Sequence, residues 1–359
     1  MKCLKIRTPF FLAIAALFAL VPAARSVAQR LPAPGEYAPR FPNDAPPRRV
    51  APLPSQRQLN DRLPPEKDFR VTALQPDYRE ALWVGSWLGL TRIDPNTGNI
   101  LARIALPNYT IGALAEDKVG RIWVGTYEGL ARVDPRSNEV TAQNTSLPSN
   151  RVLSLLVDRR GYLWVGTDRG LALISPDEGL LMTTLQDLPG LSANAMTLDQ
   201  DGQLWVGTLQ GVARIDTASA FVIGRVADIP GGVVQTLAVA PDGKLWVGTP
   251  SSLSVVDPET RQVVRTVETM RDRNITSIRF ADDDTVWVGT SNGLWKLEPE
   301  SGFVLEQITD LPSDEILSLS PDTGNKLWVG TREGLAWMSL TSGRVRPHFA
   351  FVRSGPTNF

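Results

Sequence analysis

Five residues, Leu82-Trp83-Val84-Gly85-Ser86, set a phrase that returns six more times with Ile, Leu or Val before the Trp and Thr at the end. The tryptophans stand at 83, 123, 164, 205, 246, 287 and 328, spaced by 40 residues once and by 41 thereafter. Around each lies an apolar stretch, a turn, the Trp-Val-Gly phrase, a second short turn, another apolar stretch, a third turn and a last stretch. Such a unit cannot bury its apolar faces alone, so neighbouring units must stack. Four short strands in about 41 residues is the arithmetic of a propeller blade. The expected fold is all-β: a seven-bladed β-propeller of four-stranded antiparallel blades over residues 69–353, a closed ring with no long exposed edge.

Turn chemistry agrees with that reading. Gly120, Gly161, Gly202 and Gly243 close the first turn, and Gly89, Gly129, Gly170, Gly211, Gly293 and Gly334 the second, where positive φ is needed. Asp94-Pro95, Asp134-Pro135, Ser175-Pro176, Asp257-Pro258 and Glu298-Pro299 open the third, with a side-chain oxygen at position i and proline at i+1 of a type I turn. Within Leu-Trp-Val-Gly, Leu and Val face one side of the strand and Trp the other, so both faces of a blade are apolar. Trp83, Trp123, Trp164, Trp205, Trp246, Trp287 and Trp328 are therefore structural. Trp295 and Trp337, in third strands, are read as packing residues.

Two segments precede the repeats. Lys2, Lys5 and Arg7 lead into an apolar run from Phe10 to Val21, and Ser26-Val27-Ala28 supplies small residues for cleavage. Residues 1–28 thus read as a signal peptide, since the run falls short of the twenty or so residues that span a bilayer. Cleavage would remove Cys3, the sole cysteine, and leave a chain stabilised by its core rather than by disulfides. Residues 29–68 form a linker or arm, with ten prolines between Leu31 and Pro65 that favour an extended, semi-rigid spacer. Residues 354–359 are a C-terminal tail. The expected localisation is extracytoplasmic (periplasmic, lumenal or secreted), with no membrane span after cleavage.

The phrase running from Asp through Gly-x-Leu-Trp-Val-Gly-Thr to Gly-Leu resembles the two-component-regulator propeller repeat, over residues 71 to about 352. The resemblance implies a periplasmic ligand-binding sensor module. In that family a membrane helix and a kinase or DNA-binding output domain usually follow the propeller. Here the sequence ends at Phe359 without either, which suggests a stand-alone sensing half.

Charge and residue counts exclude several chemistries. Past residue 28 there are 33 basic against 38 acidic side chains, so no basic surface is available to coat a nucleic acid. One His and one Cys leave little for metal or nucleophile chemistry. Gly289-Thr290-Ser291-Asn292-Gly293 fits the hydrolase pattern G-x-S-x-G, but the same positions in other repeats form a strand-to-strand turn, not the strand-to-helix elbow that chemistry needs. Asp199, Asp201 and Asp282-Asp283-Asp284 sit at first turns without the bidentate Glu of a calcium loop. A propeller lyase would need a general base near the axis, and His348 is placed in the last strand. A quinone-dependent enzyme is suggested only by the turns at Asp94-Pro95-Asn96-Thr97-Gly98 and Asp257-Pro258-Glu259-Thr260. The chain is read as a non-enzyme without cofactor or metal.

Recognition is then placed by topology. The turns after Trp-Val-Gly and the connections between blades share one face of the ring. The turns bring Trp87, Tyr127, Asp168, Arg169, Asn292, Arg332 and Glu333 to it; the connections bring Tyr109, Asn150, Arg151, Asn194, Arg273 and Asn274. Aromatic and arginine side chains of this kind are enriched in recognition hot spots. The expected function is sensor-like binding of a small ligand or of a membrane or envelope protein partner. The alternative is a scaffold for an envelope complex. How the ring closes is open at this level, since either 344–352 or the segment before Phe69 could supply the last outer strand.

Overall fold

The computed structural model describes residues 68–352, apart from 105, 107–109 and 145. The expected signal peptide, the arm up to Lys67, Tyr109 and the C-terminal tail lie outside the described residues. Among those described, 28 strands form seven four-stranded sheets, each in simple sequence order and antiparallel throughout. In blade 1 the strands are Val71–Pro76, Leu82–Ser86, Gly89–Ile93 and Ile100–Ile104, running from the axis outward. The second strand is buried along its whole length in every blade, apart from Lys326 at the start of the one in blade 7. Outer strands are largely exposed, as in Leu181–Leu185 and Val304–Ile308.

Seven apolar clusters sit between the blades, and each has the same composition. The tryptophan of one blade packs against the two residues that flank the tryptophan of the next. Trp83 meets Ile122 and Val124, and Trp164 meets Leu204 and Val206. Trp328 of blade 7 meets Leu82 and Val84 of blade 1 and so closes the ring. The alternation inside Leu-Trp-Val thus works as a plug on one face and a socket on the other. Burying one indole removes about 150–250 Å² from water, worth up to about 4–6 kcal/mol. The adjacent glycine is required by the same contact. A Cβ on Gly289 would lie 2.7 Å from Ile316 Cγ2, at the start of the next inner strand, and one on Gly248 2.6 Å from Ile275 Cγ2.

In blades 1 to 4 an aspartate at the first turn ties the turn to the core. Asp199 Oδ1 accepts from the backbone N–H of Asp201 (3.0 Å) and Gln203 (2.8 Å); Oδ2 accepts from Trp205 Nε1 (3.0 Å) and from Arg214 (2.8 Å). Arg214 also lies over the Trp205 ring, 5.3 Å from its centroid. Asp77, Asp117 and Asp158 hold Trp83, Trp123 and Trp164 in the same way. Blades 5 and 6 carry Ala240 and Ala281 at this position.

Blade 7 supplies its own outer strand, Val345–Pro347, paired with Gly334–Ser339. His348 does not lie in that strand, contrary to the sequence reading. It follows it and caps a short 3-10 turn, Phe349–Phe351. Nε2 donates to Gly98 O of blade 1 at 2.7 Å, and Nδ1 accepts from Ala350 N at 3.4 Å, which fixes the tautomer. Lys326 Nζ reaches the carbonyls of Pro95 and Asn96, and Ser318 Oγ donates to Val71 O, so polar contacts reinforce the closure.

Candidate functional site

Two families of loops converge on one face because strand directions alternate. The first residue of the turn after Trp-Val-Gly-[Ser/Thr] donates its N–H to the connection leading into the same blade. Trp87 bonds Arg70 O (3.1 Å), Tyr127 Thr110 O (3.2 Å), Ser291 Asn274 O (3.1 Å) and Arg332 Glu315 O (3.0 Å). The hydroxyl that ends the phrase holds the turn shut: Thr126 Oγ1 donates to Gly129 O and accepts from Glu128 N.

Three arginines of this face lie over aromatic rings. Arg70 stacks on Trp87 at 3.9 Å from the ring centroid, Arg273 on Trp295 at 4.2 Å and Arg151 on Tyr127 at 4.9 Å. Arg151 and Tyr127, both predicted, are brought together; Tyr127 is 41% exposed. Trp87 is half-buried, and its partner Arg70 is ion-paired with Asp68. Arg332 pairs with Glu315 at 2.8 Å. Asn150, Arg169, Asn292 and Glu333 stand exposed around the same face without joining these pairs. Asn194 turns instead to the axis, where its Nδ2 donates to Val234 O of the next blade.

The axial side of this face carries polar atoms that have no partner. Asp168 Oδ1, Ser192 Oγ, Gln235 Oε1, Asn274 Oδ1 and Thr276 Oγ1 are five of the eleven buried, unpartnered side-chain atoms among the described residues. All five lie in the turn, the connections or the strand entries of blades 3 to 6 on the connection side. Buried polar atoms are rarely left unpaired, and these five gather on the connection side.

Asp168 and Asn274 were expected from the sequence; Ser192, Gln235 and Thr276 were not. A signal for the last two exists. Each inner strand opens with an aliphatic or alanine residue, one variable residue, then Ala, Ser or Thr: Val71-Thr72-Ala73, Val234-Gln235-Thr236, Ile275-Thr276-Ser277. In blades 1, 2, 3, 6 and 7 the register slips by one at this residue, a bulge that re-aims it. It is Thr72, Gly112, Leu153, Thr276 or Leu317 in those blades and lines a central cavity of about 180 Å³, to which residues of all seven inner strands contribute.

The opposite face has a groove of about 690 Å³ between blades 5 and 6, beside Ala240, Trp246 and Arg265. It lies where the turn aspartate of blades 1 to 4 is missing. Among the described residues there is no cluster of His, Cys, Asp and Glu able to hold a metal ion, and no helix long and apolar enough to cross a membrane. Asp283 is engaged by Lys296 and Thr285, and Ser291 occupies a turn between two strands.

Comparison with known proteins agrees with this geometry. The family model of the two component regulator propeller matches residues 105–128, 146–169, 187–210 and 228–251. Each match runs from a connection through the inner and second strands to the turn that follows. No curated protein matches the sequence. Among solved structures, two of the extracellular domain of BT4673 from B. thetaiotaomicron are similar, at TM-score 0.64 in both. One is described as part of a hybrid two component system, with 20% identity over 76% of this chain; the other as part of a one component system, with 19% identity over 79%. The chain spans only 40% and 42% of those structures. At that identity the likeness bears on the fold. The ring of seven four-stranded blades makes this chain a seven-bladed propeller, four segments of which match the two component regulator propeller model.

Proposed function

We propose that this propeller is a non-catalytic, extracytoplasmic binding module that recognises a small ligand on the connection side of the ring and reports it to a membrane partner. The observation that carries this reading is the set of unpartnered polar atoms on blades 3 to 6, bordered by the stacked Arg151–Tyr127 and Arg273–Trp295 pairs. A rigid ring that presents arginine, aromatic and amide groups in fixed positions binds without first paying to order them. The likeness to an extracellular domain of a two component system supports the sensor assignment, and the expected signal peptide supports the compartment.

A scaffold role is favoured by a different observation. Large apolar side chains stand exposed on outer strands: Met182 (55%) on blade 3, Phe221 (71%) on blade 4 and Leu305 (55%) on blade 6. Contiguous apolar patches mark protein-docking surfaces, and Leu180 (58%), Leu181 (37%) and Met182 (55%) stand exposed in succession on blade 3.

Capture from the extracytoplasmic fraction, analysed for small molecules and for proteins, separates the two. The sensor reading expects a low-mass ligand whose affinity falls at least about tenfold, 1.4 kcal/mol, in a Tyr127→Ala/Arg151→Ala/Asn274→Ala variant. A Met182→Ser/Phe221→Ser variant should keep it. A stoichiometric protein lost on the rim variant alone, with no low-mass ligand, overturns the sensor reading in favour of the scaffold.

A further inference from the structure

We propose that Arg279 makes the central cavity a binding site for a small oxyanion, a carboxylate or a phosphate-like group. Arg279 lies on the inner strand of blade 6, opposite Trp287. At that level the other blades present Gln75, Ala115, Leu156, Thr197, Ala238 and Ser320, so one cation stands alone among neutral side chains. Its side chain lines the cavity and is exposed to solvent there.

The guanidinium has five N–H donors. Its one side-chain hydrogen bond among the described residues is NH1 to Ile278 O, at 2.8 Å, and no carboxylate forms an ion pair with it. Among the described residues no Asp or Glu lines the cavity. An oxyanion in the cavity supplies the opposite charge and acceptors for the fork.

Two further features suit such a ligand. Thr276 Oγ1, on the same strand and lining the same cavity, is buried and unpartnered, and can donate to an oxygen. The volume of about 180 Å³ is below the 300 Å³ or so at which drug-sized pockets begin, which selects a small anion over an oligosaccharide. The site goes beyond the connection-side reading and does not depend on what that face recognises.

Titration calorimetry on the intact chain, with sodium acetate and sodium phosphate as separate probes and sodium chloride at matched ionic strength as the reference, tests the proposal. The expected result is one site per chain for at least one probe, with a dissociation constant of about 1 mM or tighter. Which probe binds distinguishes a carboxylate from a phosphate-like group. At about one hundred times that constant Tm should rise by about 5 °C. Arg279→Met should abolish both responses. Arg279→Lys keeps the charge and guards against a misfolded Met variant; without the bidentate fork it should weaken binding at least about tenfold. The Tyr127→Ala/Arg151→Ala/Asn274→Ala variant should bind the probe as the parent does. Absence of binding by both probes, or unchanged affinity in either Arg279 variant, overturns the proposal.

Discussion

At the residue scale, the repeat is held by a three-part contact that the sequence shows only in part. Tryptophan and glycine could be assigned to packing from alternation alone, and the turn aspartates to capping. That one carboxylate also accepts from the indole N–H and pairs with an arginine on the third strand needed coordinates, because Asp199 and Arg214 are fifteen residues apart and meet across two strands. Asp199→Ala should cost about 2–4 kcal/mol, since it strands the Trp205 N–H and leaves Arg214 only Asp201, at 3.7 Å. The reverse change is informative: Trp287 Nε1 is buried without a partner, and Ala281 occupies the position of the missing carboxylate. Ala281→Asp should therefore raise stability, by about 1 kcal/mol. Gly289→Ala should lower it by about 1–3 kcal/mol through the collision with Ile316. Urea unfolding midpoints, at constant m, measure all three.

At the element scale, strands and turns were legible because each repeat states them again. Turn residues fall where positive φ is observed, as at Gly120 (82°) and Gly334 (145°). Three things escaped. One was the bulge at the entry of inner strands, which depends on how a strand bends against its neighbour rather than on residue type. Another was the fate of Asn194, named as a loop residue but turned to the axis to bind the next blade. The third was His348, whose place after the last strand follows from the shortness of that strand, three residues in blade 7. Burial holds the His348 pKa below 6.5, and its neutral ring links blade 7 to blade 1 through Gly98. Above pH 6.5 the ring is neutral in the folded and unfolded chains alike. As pH falls below that value the unfolded chain gains a proton that the native state resists, so stability declines towards the depressed native pKa. The slope contributed approaches about 1.4 kcal/mol per pH unit at most. His348→Gln, which can still donate to Gly98 O, should flatten the stability profile between about pH 6.5 and 5 relative to the parent. An unchanged profile would show that His348 protonates freely in the native chain.

At the scale of the whole molecule, seven equivalent plug-and-socket interfaces form a ring rather than a stack. An open array can fray from its ends, but here blade 1 and blade 7 cover one another through Trp328, Val84 and Phe351. Shortening the chain after Ser339 would remove the seventh outer strand, His348 and Phe351 together. The expected consequence is one cooperative transition at a Tm lowered by 10 °C or more (roughly 3–5 kcal/mol of lost core at Phe351 alone). Two separate transitions in calorimetry would mean that the blades are not coupled around the ring. The ring also defines two faces, and the sequence placed the turns after Trp-Val-Gly and the connections together on one of them, because strand direction follows from counting strands. It could not rank the residues on that face. Exposure, stacking and unpartnered atoms depend on the neighbouring blade, and a repeat-by-repeat reading contains no neighbour.

Hydrogen exchange of the intact chain, with and without the ligand captured from the extracytoplasmic fraction, tests recognition on the connection side most directly. Protection should concentrate at 127–128, 150–151, 167–169, 191–195, 234–236 and 273–276, with no change at the first turns 118–121 and 200–203 on the opposite face. Protection confined to those opposite turns, or to the groove beside Ala240 and Trp246, would contradict it.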